Sequence, residues 1–264
     1  MTRVHVLDRP GPAPDRTLHY DPRPAAVVEV FDPPHASAGL AILLHGGFWR
    51  AAYDRTYLRG MAAALAAQNG IMVALPEYRR VGEPGGGIPG TLADVAEILQ
   101  RVPGLLGAAE SDVVVAGHSA GGHLALVVAA DIPRPPRRVV SLAGVLDLAA
   151  AHDARLSNGA VAALLGESEP SEAQVAAIDP LRRAVPPCEI VLLHGDRDDE
   201  VPVAYSRAYR RKAPDAELIV LPGADHYDVI DPRSEVFSRV ASAIATSPLN
   251  PEVGGSFNDH VGER

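Results

Sequence analysis

The chain has 264 residues, of which 47% are hydrophobic, and this length and composition suit one large buried core. Its 24 Gly and 24 Pro residues stay below the level of roughly 25–30% that is typical of low-complexity disorder. The 33 acidic and 24 basic residues leave a net charge of −9. The chain therefore lacks the cationic surface that neutralises phosphates, and we expect no nucleic-acid partner.

Cysteine content and the N-terminal residues indicate the compartment. A single cysteine, Cys188, excludes an intramolecular disulfide and a thiolate metal cluster. The N-terminal residues hold no apolar run of the kind found in a secretory signal, and no stretch reaches the about 18 consecutive apolar residues of a membrane span. We expect a cytoplasmic protein without a membrane partner.

Short runs rich in Val, Ile and Leu alternate with longer amphipathic segments, which is typical of parallel strands buried under helices. The predicted strands are 25–31, 40–44, 71–75, 113–116, 138–142, 190–193 and 218–221. The predicted helices are 54–68, 91–102, 120–130, 201–212 and 232–245. Gly70 is expected to end the first helix, and Thr91 with Asp94 to cap the second. The pattern predicts an α/β fold with a mostly parallel central sheet and helices on both faces.

Residues 145–184 interrupt this alternation. They contain three helix-like pieces, 146–153, 159–165 and 171–178, with no strand among them. We interpret the segment as a small helical cap inserted over the carboxyl edge of the sheet, within a single domain of residues 1–246. Residues 247–264 hold two Pro, three Gly and scattered charges, and are expected to form a disordered tail.

The sequence Gly117-His118-Ser119-Ala120-Gly121 follows a predicted strand and opens a predicted helix. It fits G-x-S-x-G in the strand–turn–helix context that this motif requires. The tight turn lifts the serine hydroxyl clear of the sheet, and the glycines let strand and helix approach each other. Ser119 is therefore the candidate nucleophile. The alternative is a glycine-rich turn in which Ser119 only caps the helix.

A second glycine-rich turn, His45-Gly46-Gly47-Phe48-Trp49, follows the predicted strand 40–44. Acyl transfer passes through an oxyanion, and each backbone N–H group that stabilises it contributes about 3 kcal/mol. We predict an oxyanion hole formed by the N–H groups of Gly47, Phe48 and Ala120. Trp49, with Phe48, is expected to line the substrate pocket, and ordinary core packing is the alternative.

A serine hydroxyl needs a base that is oriented by a third group. His226 and Asp198 each follow a predicted strand, and the order Ser119, Asp198, His226 is that of the α/β-hydrolases. Asp198 fits the spacing H-G-x-x-D-x-x-V-P, whereas Asp196 and Asp199 are the alternative acids. These three residues are the predicted catalytic set, which needs no cofactor.

The other histidines near these motifs need a separate interpretation. His118 and His123 lie too close to Ser119 in sequence to act as its base with an acid behind them, and His45 and His194 are expected to brace loops. The chain contains no H-E-x-x-H spacing, so we expect no metal site.

Together these motifs resemble the kynurenine formamidase-like (arylformamidase-like) and hormone-sensitive-lipase-like esterase group of α/β-hydrolases. The similar pieces are 45–49, 77–79, 117–124, 194–202 and 225–230. Phe48-Trp49 after the two glycines is closer to the formamidases. The resemblance implies an α/β-hydrolase fold and a serine hydrolase that cleaves a small-molecule ester or an N-formyl or N-acyl amide through an acyl-enzyme. A small serine peptidase and a non-catalytic ligand-binding protein of the same fold are the alternatives.

Overall fold

In the computed structural model, which describes residues 6–245 apart from 36 and 38, an eight-stranded sheet runs through the protein. Its strands are β1 (Arg16–His19), β2 (Val27–Phe31), β3 (Leu40–Leu44), β4 (Met72–Pro76), β5 (Val113–His118), β6 (Arg138–Leu142), β7 (Glu189–Gly195) and β8 (Glu217–Leu221). They lie in the order β1-β2-β4-β3-β5-β6-β7-β8. Strands β3 to β8 are all parallel to one another, while β2 is antiparallel to both β1 and β4.

Helices cover both faces of the sheet, as predicted. They are α1 (Arg59–Asn69), α2 (Gly90–Leu105), α3 (Ala120–Ala129), α4 (Leu148–Asp153), α5 (Leu156–Leu165), α6 (Glu172–Ala176), α7 (Val203–Lys212) and α8 (Phe237–Ile244). Side chains of a strand alternate between faces. In β3, Ile42 joins a core cluster with residues of α2, α3 and α7, whereas Leu43 joins a second cluster with residues of α1 and α8.

The predicted strands and helices are present, with differences at some of their margins. Helix α1 begins at Arg59 instead of 54, because residues Arg55–Leu58 form a 3-10 helix whose N-cap is Asp54. Strand β1 was not predicted, because its four residues are largely exposed at the sheet edge and show no apolar run. Helix α8 begins at Phe237 instead of 232, because Asp231 organises a turn that accepts hydrogen bonds from the N–H groups of Arg233 and Ser234.

Two predictions of helix capping had different outcomes. Gly70 ends α1 with a φ of 66°, as predicted. The pairing of Thr91 with Asp94 as a cap is wrong, since α2 begins at Gly90. The Thr91 hydroxyl instead donates to the carbonyl of Arg79 at 2.7 Å, and the buried Asp94 carboxylate forms ion pairs with Arg79 at 2.5 Å and Arg23 at 2.9 Å.

Residues 145–184 form the three helices α4, α5 and α6 at the predicted places. The N–H group of Ile88 donates to the carbonyl of Leu164, which joins this segment to the loop before α2. At the start of α5 the backbone of Ser157 and Asn158 is left-handed, and the Arg50 guanidinium holds it by donating to the Ser157 carbonyl at 2.6 Å. The tail predicted at 247–264 lies outside the described residues.

Candidate active site

Ser119 lies in the sharp turn between β5 and α3. Its backbone has φ 54° and ψ −117°, and its side chain makes no hydrogen bond that caps α3. A strained backbone of this kind persists only where the surroundings enforce it. Here the Ser119 N–H donates to Leu142 O at 2.8 Å, and the Ser119 carbonyl accepts from the N–H of Gly122. The hydroxyl is therefore not used as a helix cap, which removes the argument for the capping alternative.

The glycines around this turn lie where strand and helix backbones are in contact. A Cβ atom on Gly117 would lie 2.2 Å from the carbonyl oxygen of Gly121. A Cβ atom on Gly121 would lie 2.1 Å from the carbonyl oxygen of Leu44, at the end of β3. Both contacts are with backbone that cannot rotate away, so any side chain at these positions would push β3, β5 and α3 apart.

The structure brings His226 and Asp198 together, although they follow different strands. The Nδ1 atom of His226 lies 2.7 Å from Oδ2 of Asp198. A carboxylate only accepts, so Nδ1 carries the proton and Nε2 is left as the basic nitrogen. His226 also lies against the serine turn, since its carbonyl accepts a hydrogen bond at 3.0 Å from Nε2 of His118, the residue before Ser119.

The Asp198 side chain is fully buried, and both of its carboxylate oxygens have hydrogen-bond partners. Its Oδ1 accepts from the N–H groups of Val201 at 2.7 Å and Glu200 at 3.0 Å, and its Oδ2 also lies 3.1 Å from Nε2 of His194. Burial by itself raises the pKa of Asp198, but the hydrogen bonds from His194 and His226 outweigh burial and hold that pKa well below its usual range.

The alternative acids occupy different surroundings. Asp199 is exposed, and the exposed Asp196 accepts a hydrogen bond from the N–H of Gly223 at 2.7 Å, as a loop-bracing carboxylate would. Neither takes the place of Asp198 beside Nδ1 of His226. Of the three acids, the one that fits the spacing is thus the one that lies beside His226.

The turn after β3, residues 45–49, carries two of the predicted oxyanion donors, and we call it the oxyanion turn. Gly47, Phe48 and Trp49 all have positive φ values, of 98°, 51° and 59°. Within the described part of the chain, the N–H groups of Gly47, Phe48 and Ala120 donate to no backbone carbonyl. The turn lies against the serine, because a Cβ atom on Gly46 would be 2.9 Å from Cβ of Ser119. The turn thus lies beside Ser119 and carries N–H groups without a backbone acceptor, and its role as an oxyanion hole stays a prediction.

Trp49 does not lie where the sequence predicts a pocket wall. Its side chain is 1% exposed and belongs to the core cluster that includes Tyr78 and Leu124. The indole N–H donates to Nδ1 of His123 at 3.2 Å. The indole ring packs edge-on against the His123 ring of α3, with centroids 5.2 Å apart, whereas Phe48 stays half-buried. The pocket interpretation is therefore corrected for Trp49.

A buried polar group below the oxyanion turn was not predicted. Nε2 of His45 lies 2.8 Å from Oε1 of Glu77, and the Tyr78 ring stacks on His45 with centroids 4.3 Å apart. The Tyr78 hydroxyl donates to the carbonyl of His45 at 2.6 Å. His45 thus braces the loop, as expected of it. In the sequence, the partners of His45 appear as the Glu77-Tyr78-Arg79 motif, and no local pattern indicates that this motif contacts residue 45.

No group of three or more His, Cys, Asp and Glu side chains in residues 6–245 is placed to hold a metal ion. No helix in the same part of the chain is both long and apolar enough to cross a membrane.

The comparison with curated proteins found a partial relative. A protein of Mycobacterium tuberculosis (strain ATCC 25618 / H37Rv), named as the acetyl-hydrolase LipR, is 40% identical over 105 residues. These residues are 39% of this chain and 32% of that protein. The chain thus matches about a third of the length of its curated relative.

Solved structures share the whole fold. The acetyl ester-xyloside bifunctional hydrolase of Caldicellulosiruptor lactoaceticus has a TM-score of 0.71 at 21% identity, over 88% of this chain and 95% of that one. An inhibited esterase B of Lactobacillus rhamnosis has a TM-score of 0.70 at 18% identity, over 89% of each chain. At these identities the likeness shows the fold alone.

A sequence model supplies the family. The model named Abhydrolase_3, described as alpha/beta hydrolase fold, matches residues 41–227, which include the oxyanion turn, Ser119, Asp198 and His226. The match covers well over half of the chain, and the observed sheet order and serine turn agree with it. The protein therefore belongs to the alpha/beta hydrolase fold family Abhydrolase_3.

Proposed function

We propose that this protein is a serine esterase that hydrolyses esters of short acyl groups through an acyl-enzyme. The observation that carries the proposal is the fully buried Asp198 carboxylate, 2.7 Å from Nδ1 of His226, beside a strained serine turn whose hydroxyl caps no helix. Relatives of the same fold that are named as esterases and acetyl-hydrolases support it.

Acylation uses all three residues. Oγ of Ser119 attacks the ester carbonyl carbon while Nε2 of His226 accepts the hydroxyl proton. The carbonyl oxygen becomes an oxyanion, which the N–H groups of Gly47, Phe48 and Ala120 stabilise. Asp198 keeps the proton of His226 on Nδ1 and stabilises the imidazolium that forms. The intermediate then expels the alcohol, which leaves with the proton from Nε2.

Deacylation repeats these steps with water. Nε2 of His226 takes a proton from water, and the resulting hydroxide attacks the acyl-enzyme carbonyl. The second oxyanion collapses, the bond to Oγ of Ser119 breaks, and Oγ recovers a proton from His226. The carboxylic acid is released.

A short acyl ester suits the surroundings better than an aryl formamide. Aromatic recognition by Trp49 would need its ring in the pocket, and that ring is buried. Residues 145–184 contain no Phe, Trp or Tyr, so they offer a substrate no stacking surface. The name of the mycobacterial relative, an acetyl-hydrolase, points in the same direction.

A hydrolysis panel tests the proposal. We expect kcat/KM for p-nitrophenyl acetate or butyrate to exceed that for p-nitrophenyl octanoate, N-formylkynurenine and aminoacyl-p-nitroanilides by more than about tenfold, or about 1.4 kcal/mol. A preference for N-formylkynurenine would establish the formamidase alternative, and a preference for the anilides the peptidase alternative.

The same panel needs a chemical control for the nucleophile. An organophosphonate ester should add one phosphonyl group per chain, seen by intact mass, and Ser119→Ala should abolish both labelling and turnover while thermal unfolding is unchanged. Turnover retained in folded Ser119→Ala would overturn the proposal, and so would a wild-type chain that neither reacts nor hydrolyses any ester.

A further inference from the structure

A series of three hydrogen bonds joins the oxyanion turn to the histidine base. The N–H of Gly46 donates to the Tyr57 hydroxyl at 2.6 Å. The Tyr57 hydroxyl lies 3.0 Å from Nδ1 of His118, and Nε2 of His118 lies 3.0 Å from the carbonyl oxygen of His226. None of these groups is needed in the chemical steps above.

The direction of each bond follows from its partners. The carbonyl of His226 only accepts, so Nε2 of His118 carries the proton and donates. Burial, followed by the nearby His226, lowers the pKa of His118 to about 3, so its ring is neutral and Nδ1 accepts. Burial also raises the pKa of Tyr57, whose hydroxyl therefore keeps its proton and donates it to Nδ1. A single arrangement of protons satisfies all three bonds.

These three hydrogen bonds lie where they can set distances between groups of the active site. His118 is adjacent to Ser119 in sequence, and its ring centroid lies 4.7 Å from that of His226. Gly46 is adjacent to Gly47, a predicted oxyanion donor. The three loops that carry nucleophile, base and oxyanion donor thus meet at the half-buried Tyr57 and the buried His118.

We propose that Tyr57 and His118 are positioning residues that set the spacing between the oxyanion turn and His226 for the hydrolysis of esters by Ser119. This inference rests on the proposed esterase function. A displacement of about 1 Å in a reacting group can cost about 100-fold in rate. Breaking these hydrogen bonds should therefore lower kcat while leaving substrate binding, and hence KM, nearly unchanged.

The first test replaces the Tyr57 hydroxyl. We expect Tyr57→Phe to lower kcat for p-nitrophenyl acetate by about tenfold or more, with KM within about threefold of wild type. Tyr20→Phe is the matched control, because its buried hydroxyl also donates one hydrogen bond, to the carbonyl of Glu77 at 2.9 Å. It should lower the thermal midpoint as Tyr57→Phe does but leave kcat unchanged.

The second test separates the two bonds of His118. The amide nitrogen of His118→Gln can occupy the place of Nε2 and keep the bond to His226, whereas His118→Asn is too short to do so. We expect the Gln variant to retain at least about tenfold more kcat than the Asn variant, at similar thermal stability. This pair decides the matter if Tyr57→Phe does not fold.

Failure of the inference and failure of the proposed function give different results. If folded Tyr57→Phe has wild-type kcat, or if His118→Gln and His118→Asn are equally active, the positioning role is overturned while the esterase remains. If wild-type protein hydrolyses no p-nitrophenyl ester and a phosphonate does not label Ser119, the esterase function is overturned and the positioning role with it.

Discussion

Two histidines share one carboxylate oxygen at the acid position. Oδ2 of Asp198 lies 2.7 Å from Nδ1 of His226 and 3.1 Å from Nε2 of His194. His194 in turn lies 2.9 Å from the carbonyl of Val201 and 2.7 Å from the Ser206 hydroxyl. Because His194 is anchored at both nitrogens, it holds the carboxylate in place for His226.

Replacing Asp198 should impair catalysis much more than replacing either of the neighbouring acids. We expect Asp198→Asn to lower kcat on p-nitrophenyl acetate by a factor on the order of 10³ or more, because an amide no longer holds the His226 proton on Nδ1. The exposed Asp199→Asn and Asp196→Asn are the controls and should change kcat by less than about tenfold. If Asp199→Asn lost its activity instead, the assignment of Asp198 as the catalytic acid would be wrong.

The same carboxylate should contribute to stability in a pH-dependent way. The pKa of Asp198 is lower in the folded protein than the about 3.9 of an unfolded chain. Its contribution is therefore present above about pH 4 and is lost as pH falls toward the folded pKa. Urea midpoints of wild type and Asp198→Asn should differ most near neutral pH and converge in acid. A gap that is independent of pH would contradict this.

At the scale of elements, the close contact of β3, β5 and α3 determines where Ser119 and the oxyanion turn lie. Gly121 marks this contact, with the carbonyl oxygens of Leu44 and His45 only 2.1 and 2.6 Å from the place of a Cβ atom. The same helix carries Ser119 at its start and His45 precedes Gly46, so a shift at Gly121 moves both halves of the site.

Gly121→Ala should therefore reduce both stability and activity. We expect the free energy of unfolding in urea to fall by about 1–3 kcal/mol, the usual cost of overpacking. Gly104→Ala in α2 is the control, because Gly104 is exposed and has no atom within 4 Å of the new Cβ. That variant should gain about 0.5–1 kcal/mol and keep its kcat. Equal effects of the two exchanges would contradict the packing argument.

The buried His123 side chain links three parts of the molecule that are distant in sequence. The indole of Trp49 donates to Nδ1 of His123 in α3, and Nε2 of His123 lies 2.8 Å from the carbonyl of Ile178, which follows α6. Burial lowers the pKa of His123 to about 4, so the ring is neutral and can accept from Trp49. The oxyanion turn, the serine helix and residues 145–184 are thereby joined.

Trp49→Ala should behave as a core substitution. We expect the free energy of unfolding to fall by about 3–5 kcal/mol, and KM for p-nitrophenyl acetate and for N-formylkynurenine to change by the same factor. Urea unfolding and steady-state kinetics measure the two effects. A selective rise of KM for the aromatic formamide at unchanged stability would return Trp49 to the substrate pocket.

The fold and the serine turn were predictable from the sequence because their signals are local. Buried strands appear as apolar runs, and the serine turn needs Gly117, Ser119 and Gly121 within five residues. The order Ser119, Asp198, His226 follows from placing each residue after a strand of a parallel sheet, whose carboxyl ends meet at one edge.

Other features depended on contacts between residues that are distant in sequence, so no local pattern could indicate them. The burial of Trp49 requires His123, 74 residues away, and the role of Asp94 requires Arg23, 71 residues away. Edge strand β1 exists because β2 supplies its hydrogen bonds. Local periodicity and turn chemistry act over a few residues, whereas side-chain burial and the pairing of charges depend on which elements the sheet brings into contact.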